Sequence, residues 1–423
     1  MTPALDSVLV VGAGVVGHAC ALALQQRGAR VTLVDPDRTR IAPSWGNAGH
    51  IATEQTEPLA SPAMLRSALR RHVAFGGPLD IRNPIALAPW IARYLRACTP
   101  STFKAGQTAL RGLLADALPA WRRLATRLEV PQLLRETGHW VCWESAATAV
   151  RGERAWRATD IGTTRFDALA TEHLARLQGA IPAPLAGGIA FEGTAQIADP
   201  LQLAEALSGA FEHAGGERRH ETVEALVEEG GHLRVRIGNG DLLDADRVLV
   251  CAGVRSRDLL EPLGIRTPLV AERGYHLQWS DHDWPDLPPI VFEDRSMIVT
   301  RFSGGLRAAG FVEYARRDTP PDPRKWQRLA HHVEQLGLPV RGEPSLWYGA
   351  RPTLPDYLPA IGRSRRFPAL HYAFGHQHLG LTLAAVTGER IAALLDGRSD
   401  PSAAAFAIER FARRREEETE ANK

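Results

Sequence analysis

One stretch near the N-terminus constrains the fold more than any other. Four apolar residues, Val8 to Val11, run into Gly12, Ala13, Gly14, Val15, Val16 and Gly17, the spacing G-x-G-x-x-G. A helical pattern follows with Ala21 and Leu24 on one face. Gly28 ends it, and Val31, Leu33 and Val34 lead to Asp35. The order is strand, tight turn, helix, turn, strand, with an acid closing the second strand. Gly12 lets the backbone turn, Gly14 lets it approach a pyrophosphate, and Gly17 lets the helix pack close to the strand. The free N–H groups and positive end of the helix then face the phosphates. Asp35 stands 21 residues after Gly14, placed to accept hydrogen bonds from a ribose diol. The unit predicts dinucleotide binding and does not choose between NAD and FAD.

A chain of 423 residues is too long for one ordinary core, so two domains are expected. Fifty Lys and Arg against 48 Asp and Glu give a formal charge of +2, which argues against a nucleic-acid partner. The first strand begins so early that we expect no signal peptide. No apolar run reaches the ~18 residues of a transmembrane helix. Cys20, Cys98, Cys142 and Cys251 form no C-x-x-C pair and suggest neither a disulfide framework nor a metal site. A cytoplasmic protein is expected, with peripheral membrane contact left open.

Beyond the first unit, Ser44, Trp45, Gly46, Asn47, Ala48, Gly49 and His50 form a loop with little side-chain bulk, suited to pass close to something flat. Ser61 to Val130 reads as helical. Leu110, Leu113, Leu114, Leu118, Trp121 and Leu124 make an amphipathic face within Ala105 to Leu128. Gly138 to Trp143 reads as a strand and Phe166 to Leu177 as a short helix. Asp199 and Pro200 open a helix to Ala214 as N-cap and first residue. Glu221–Glu228 and Leu233–Ile237 look like paired strands, and Arg247 to Gly253 like a buried strand ending in a small turn. Residues 266–340 turn β-rich and are expected to wall a pocket, followed by a helix from Pro323 to Leu336. Ala405 to Lys423 reads as a charged helix or disorder, its run Arg413 to Glu418 a solvated face.

Four segments in order, Val8–Asp35, Ser44–His50, Val248–Gly253, and Arg351–Gly362 with Gly375–Thr382, resemble the D-amino-acid oxidase and dehydrogenase (DAO) superfamily of FAD proteins. The bacterial D-amino-acid dehydrogenases are most similar. The resemblance implies an α/β chain of DAO, or glutathione-reductase-like, fold. A Rossmann-like FAD-binding domain is discontinuous, and an α+β substrate domain is inserted in pieces. We accordingly expect residues 1–60, 181–265 and 341–400 in the FAD-binding domain, 61–180 and 266–340 in the substrate domain, and 401–423 as a charged tail.

The resemblance also implies residue roles. FAD would contact Gly12, Gly14, Val15, Val16, Gly17 and Asp35, the loop residues Ser44, Trp45, Gly46, Asn47, Gly49 and His50, and Val223, Ala252, Gly253, Gly349, His378, Gly380, Leu381 and Thr382. N–H groups of the last three, at a helix start, would stabilise negative charge on the reduced flavin. Arg351 would grip the substrate carboxylate with a bidentate fork. Tyr275 would be a second carboxylate or lid contact. His50 would tune the flavin or accept a proton from the substrate ammonium. D-amino-acid dehydrogenases often carry other residues at that position. No cysteine follows Cys251, so the C-terminal cysteinyl linkage of sarcosine-oxidase-like relatives is unavailable, and FAD would be non-covalent. The implied reaction is oxidation of a D-amino acid, including cyclic ones such as D-proline or D-hydroxyproline, to an imine, with electrons passing to a quinone or other acceptor. Alternatives are a glycine- or sarcosine-type amine oxidase and an FAD-binding subunit of a larger complex.

Overall fold

Val8 to Val11 alternate between two cores, and that alternation shows how the chain is layered. The computed structural model describes residues 7–73, 77–398, 400 and 402–412. Strand Ser7–Val11 lies inside a six-stranded sheet. The order is Glu217–Arg219, Arg30–Val34, Ser7–Val11, Arg247–Val250, Leu370–Phe374 and Ala360–Arg363. The first five are parallel and the last antiparallel. Val8 and Val10 pack toward helices Val15–Gln25, Pro200–His213 and Gly380–Leu395. Leu9 and Val11 pack toward the antiparallel strands Val223–Glu229 and His232–Ile237. A sheet covered on both faces requires such continuous apolar strands.

A nine-stranded mixed sheet stands beside it. Its path runs Ser345–Thr353, Val270–Trp279, Gly305–Ala315, Met297–Phe302, Ile290–Phe292, His139–Trp143, Gly187–Glu192 and Arg165–Ala168, and Leu79–Ile81 pairs with Gly305–Ala315 off that path. Helix Pro323–Leu336 covers one face with Leu329, Val333 and Leu336. Asp322 caps it by accepting from the Arg324 N–H at 3.1 Å, as the pattern D-P at a helix start predicts. The Asp199–Pro200 start behaves the same way, with Asp199 Oδ1 accepting from Leu201 and Gln202 N–H.

The structure corrects three local expectations. The helical run around Ala105–Leu128 is two helices, Pro100–Ala115 and Ala117–Arg127, broken at Asp116. All six residues of its apolar face are buried, which is why the periodicity survives the break. Phe166 to Ala168 belongs to a strand, Arg165–Ala168, and the helix begins only at Thr171. The strand pairs with Gly187–Glu192, so tertiary pairing overrides the local pattern. Finally, residues 402–412 are not a charged appendage: Phe406 and Ile408 are buried in the cores on the two faces of the six-stranded sheet. The run Arg413 to Glu418 lies outside the described residues. Among those residues, no helix is long and apolar enough to cross a membrane.

Candidate active site

The G-x-G-x-x-G turn sits where its strand leaves the six-stranded sheet. Gly12 has φ +106°, and a Cβ there would lie 2.5 Å from the Cys251 carbonyl oxygen. A Cβ on Gly17 would lie 1.8 Å from the Gly12 carbonyl oxygen. Both positions therefore exclude any side chain, and helix Val15–Gln25 is held tight to its strand. Ser44 Oγ accepts from the Val15 N–H at 3.0 Å, which ties the following loop to the helix start. Asp35 accepts from the Ala13 and Asp37 N–H groups, both at 2.7 Å.

From this turn a cavity of about 590 Å³ runs to the inner face of the nine-stranded sheet. It brings together most of the residues singled out in the sequence. Gly12, Gly14, Val15, Val16, Asp35, Ser44, Gly46, Asn47 and His50 line it from the first segment. Val223, Ala252 and Gly253 follow, and Tyr275, Arg351, His378, Gly380 and Leu381 complete the wall. Gly17, Trp45, Gly49, Gly349 and Thr382 are off the wall. Gly17 lies beneath the turn. Trp45 packs into the core shared with helix Val15–Gln25. Gly349 lies against the Trp347 indole, and Gly49 against the Phe302 ring. Thr382 is a strut: its Oγ1 accepts from the Ala52 N–H at 2.9 Å, and its carbonyl accepts from Trp121 Nε1 at 3.1 Å.

The Ser44–His50 loop is fixed from the opposite sheet. His276 Nδ1–H donates to the Gly46 carbonyl at 2.9 Å, Thr300 Oγ1 to that of Ala48 at 3.0 Å, and Arg307 Nη1 to that of Asn47. Arg307 is buried, and burial pulls its pKa down to about 10. His276, brought to about 3 by burial with Arg307 adding to the shift, is neutral and can donate from Nδ1. Sequence reasoning missed both residues. The only signal was a polar residue alternating with apolar ones in a strand.

Arg351 reaches the cavity from strand Ser345–Thr353, its side chain 28% exposed. Its Nη1 donates to Glu272 Oε1 at 3.1 Å. Glu272 is buried, and its other oxygen accepts from Tyr357, Thr353 and Tyr314 hydroxyls at 2.9, 3.2 and 3.3 Å. A buried carboxylate is tolerable with that many donors. The guanidinium lies against Gly274, where a Cβ would meet Arg351 Nη2 at 2.2 Å. One edge of the guanidinium is thus anchored, and the rest is available for a carboxylate.

Tyr275 has its hydroxyl already engaged where the resemblance implies a carboxylate or lid contact. Its ring lines the cavity, but its hydroxyl donates to Glu313 Oε1 at 2.9 Å and accepts from the Asp322 N–H at 3.2 Å. Burial pushes its pKa up to about 12, with the Glu313 charge adding. The hydroxyl is spent in a buried charge cluster with Arg273 and Glu313.

His50 Nε2 lies 3.3 Å from Glu54 Oε1, and its ring meets that of His139 edge-on at 4.4 Å. Burial raises the Glu54 carboxyl, but His50 and His139 outweigh it and hold its pKa at about 2. These three residues carry potential metal-ligand atoms within 4.8 Å of one another, a grouping the sequence did not reveal. A second such group, Asp80, Glu313 and Asp322, is filled by Lys325 Nζ, 2.5 Å from Asp80 Oδ2. All four cysteines are buried and free.

A cleft that runs from a glycine-rich nucleotide-binding turn to an arginine anchored on Glu272 fits an oxidoreductase with a dinucleotide cofactor. The chain belongs to the DAO family of FAD dependent oxidoreductases, which it matches over residues 7–394. That membership implies FAD. The chain is 31% identical over 403 residues to a D-amino-acid oxidase of Bradyrhizobium diazoefficiens, covering 92% of this chain and 95% of the relative. It is 32% identical over 415 residues to D-amino acid dehydrogenase 2 of Pseudomonas aeruginosa, covering 93% and 96%. Its fold matches glycine oxidase from Geobacillus kaustophilus with a TM-score of 0.71 at 20% identity, over 95% of this chain and 98% of that one.

The cavity fits the cofactor. The first turn of helix Val15–Gln25 has N–H groups without intrahelical partners, and the turn's glycines admit a pyrophosphate. At the other end helix Gly380–Leu395 begins on the wall with no acid in its first turn, a favourable place for developing negative charge.

Proposed function

We propose that the protein is an FAD-dependent dehydrogenase that oxidises D-amino acids, cyclic ones such as D-proline and D-hydroxyproline included, to imines. Electrons pass from the flavin to a quinone or another acceptor. The observation that carries this is Arg351, anchored on Glu272 and lining the same cavity as the Gly12–Gly17 turn. Relatives named for D-amino acids support the substrate class.

FAD, held without a covalent bond by the residues around Gly12, Gly14, Asp35, Val223, Gly253 and Gly380, would supply the hydride acceptor. Arg351 binds the carboxylate and so fixes Cα relative to the cleft. Met297, Ile298, Phe311 and Val312 wall the substrate end with apolar surface and limit water. The amine must be neutral, because its lone pair forms the C=N bond as the Cα hydrogen leaves with its electron pair. The imine then departs and hydrolyses in water.

The test is anaerobic bleaching of the flavin by a panel of D-, L- and N-methyl amino acids, followed by turnover with a dye acceptor and with air. Bleaching by D-amino acids and slow peroxide formation are expected. Peroxide formed at the dye rate assigns an oxidase instead, and bleaching by glycine or sarcosine alone overturns the substrate class.

A further inference from the structure

The substrate end of the cavity has a carboxylate grip but, in the reading above, nothing yet to receive the amine. An ammonium would need an acid. Asp35 is the only acid on the cavity wall among the described residues, and it sits at the opposite end beside the Gly12 turn. Glu272 is occupied by Arg351 and three hydroxyls, and Glu54 stands behind His50 and off the wall.

His378 lines the cavity on the short turn Gln377–Leu379. Gln377, with φ +44°, fixes that turn by donating from Nε2 to the Tyr357 carbonyl at 2.6 Å. His378 Nε2 lies 2.6 Å from Gln55 Oε1. The amide oxygen only accepts, so Nε2 carries the hydrogen and Nδ1 carries the lone pair. Nδ1 has no hydrogen-bond partner among the described residues. Charged groups reach His378 from three elements: Glu272 and Arg351 on adjacent strands, and Glu54 on the turn after His50. Burial dominates them and lowers its pKa to about 4, with Arg351 adding and the two acids opposing. The ring is therefore neutral across the working pH range. It is too weak a base to take a proton from the ammonium of a free amino acid, whose pKa lies several units higher. It is a good hydrogen-bond acceptor.

We propose that His378, held in one tautomer by Gln55, is the amine-binding residue: its Nδ1 accepts a hydrogen bond from the neutral substrate amine, so the site selects amines bearing at least one N–H. The proposal rests on the amino-acid reading above. An acceptor at this place leaves the nitrogen lone pair free to assist Cα–H cleavage, which a donor would not. Primary amines and cyclic secondary amines qualify, and fully substituted amines do not. The substrate binds as the neutral amine, its ammonium proton lost beforehand, because His378 is too weak a base to take it.

The experiment compares the best primary D-amino acid of the screen with its N-methyl and N,N-dimethyl derivatives, in wild type, His378→Leu and Gln55→Glu. The readouts are FAD content, binding of acetate as an unreactive carboxylate, and the second-order rate of anaerobic flavin reduction. Wild type should favour N-methyl over N,N-dimethyl by ~10–100-fold, the worth of one hydrogen bond to a buried acceptor. In His378→Leu that ratio should collapse below about threefold because the N–H substrates slow per bound FAD, with acetate binding unchanged. Gln55→Glu, which favours a protonated ring, should steepen the low-pH side of the reduction profile, adding inhibition by a second proton to the ammonium's own limb. An unchanged ratio in His378→Leu overturns the proposal, as does a ratio that collapses because the dimethyl substrate speeds up, which is steric relief. A low-pH slope in Gln55→Glu equal to that of wild type also overturns it. A wild-type flavin bleached by no amino acid fails the parent reading instead, and a wild type that bleaches with an unchanged variant ratio fails this one alone.

Discussion

Replacing Arg351 tests the substrate site most directly. Its Nη1 is committed to Glu272 at 3.1 Å, which leaves the Nε and Nη2 edge for two parallel bonds to a carboxylate. Hydrogen bonds to charged groups contribute ~1.5–3 kcal/mol each, so two are worth ~3–6 kcal/mol. At 1.4 kcal/mol per factor of ten, Arg351→Met should weaken amino-acid binding by ~10²–10⁴-fold. Arg351→Lys keeps a positive charge for Glu272 but loses the fork, and should fall between wild type and Arg351→Met. Glu272 keeps three hydroxyl donors in either variant, so the fold should persist. The assay is anaerobic stopped-flow reduction against substrate concentration, with the flavin spectrum as the check on cofactor binding. Both variants should stay yellow. A Met variant that binds the amino acid as wild type does refutes the assignment, and so does a Lys variant weaker than the Met variant.

Gly274→Ala should act on the same residue indirectly: its Cβ would meet Nη2 at 2.2 Å, so substrate affinity should drop at least tenfold in the same assay while FAD content holds. Gly17→Val should abolish FAD retention on a desalting column, because the helix cannot approach the Gly12 carbonyl. Arg307→Met leaves the Asn47 carbonyl without its charged donor and should cost about 3 kcal/mol, read as a lower melting temperature with weaker FAD retention. The Glu54 carboxyl lies at about 2, below its usual 4.5. It therefore contributes stability above pH ~4.5 that is lost as pH falls toward 2. Wild type should exceed Glu54→Gln in urea midpoint at pH 6, and the gap should shrink at pH 3.

How much of this was legible depends on whether a residue's task follows from its own neighbours in sequence. Gly12 and Gly17 answer to atoms a few residues away or on the adjoining strand, so their spacing alone announces the turn. Asp199–Pro200 likewise declares its helix locally. Glu272 and Arg273 do not. In sequence they are a charged pair in a β-rich stretch, with no partner nearby to mark them as buried. In the fold the strand begins at Val270, and both charges are buried because Arg351 and Glu313, 79 and 40 residues further on, neutralise them. The Tyr275 ring lines the cavity, but its hydroxyl is engaged by Glu313 and the Asp322 N–H from distant segments. Gln55, Arg307 and His276 act only through partners from distant segments, and no spacing rule reaches them.

The Ser44–His50 loop belongs in sequence to the nucleotide-binding turn, and Ser44 bonds to Val15. Yet three of its carbonyls are held by His276, Thr300 and Arg307 from the nine-stranded sheet. A loop with its carbonyls drawn to one side presents its other edge to the cleft. Its position is thus a joint property of the two sheets. Strand Val270–Trp279 that holds the loop through His276 also carries Glu272, which anchors Arg351, and Gly274, which makes room for it. One strand therefore sets the separation between the Ser44–His50 loop and Arg351. The hydride transfer proposed above would tolerate little error in that separation. A rigid shared strand, on which Glu272, Gly274 and His276 recur at every second position, is a direct way for a chain built in discontinuous pieces to hold it.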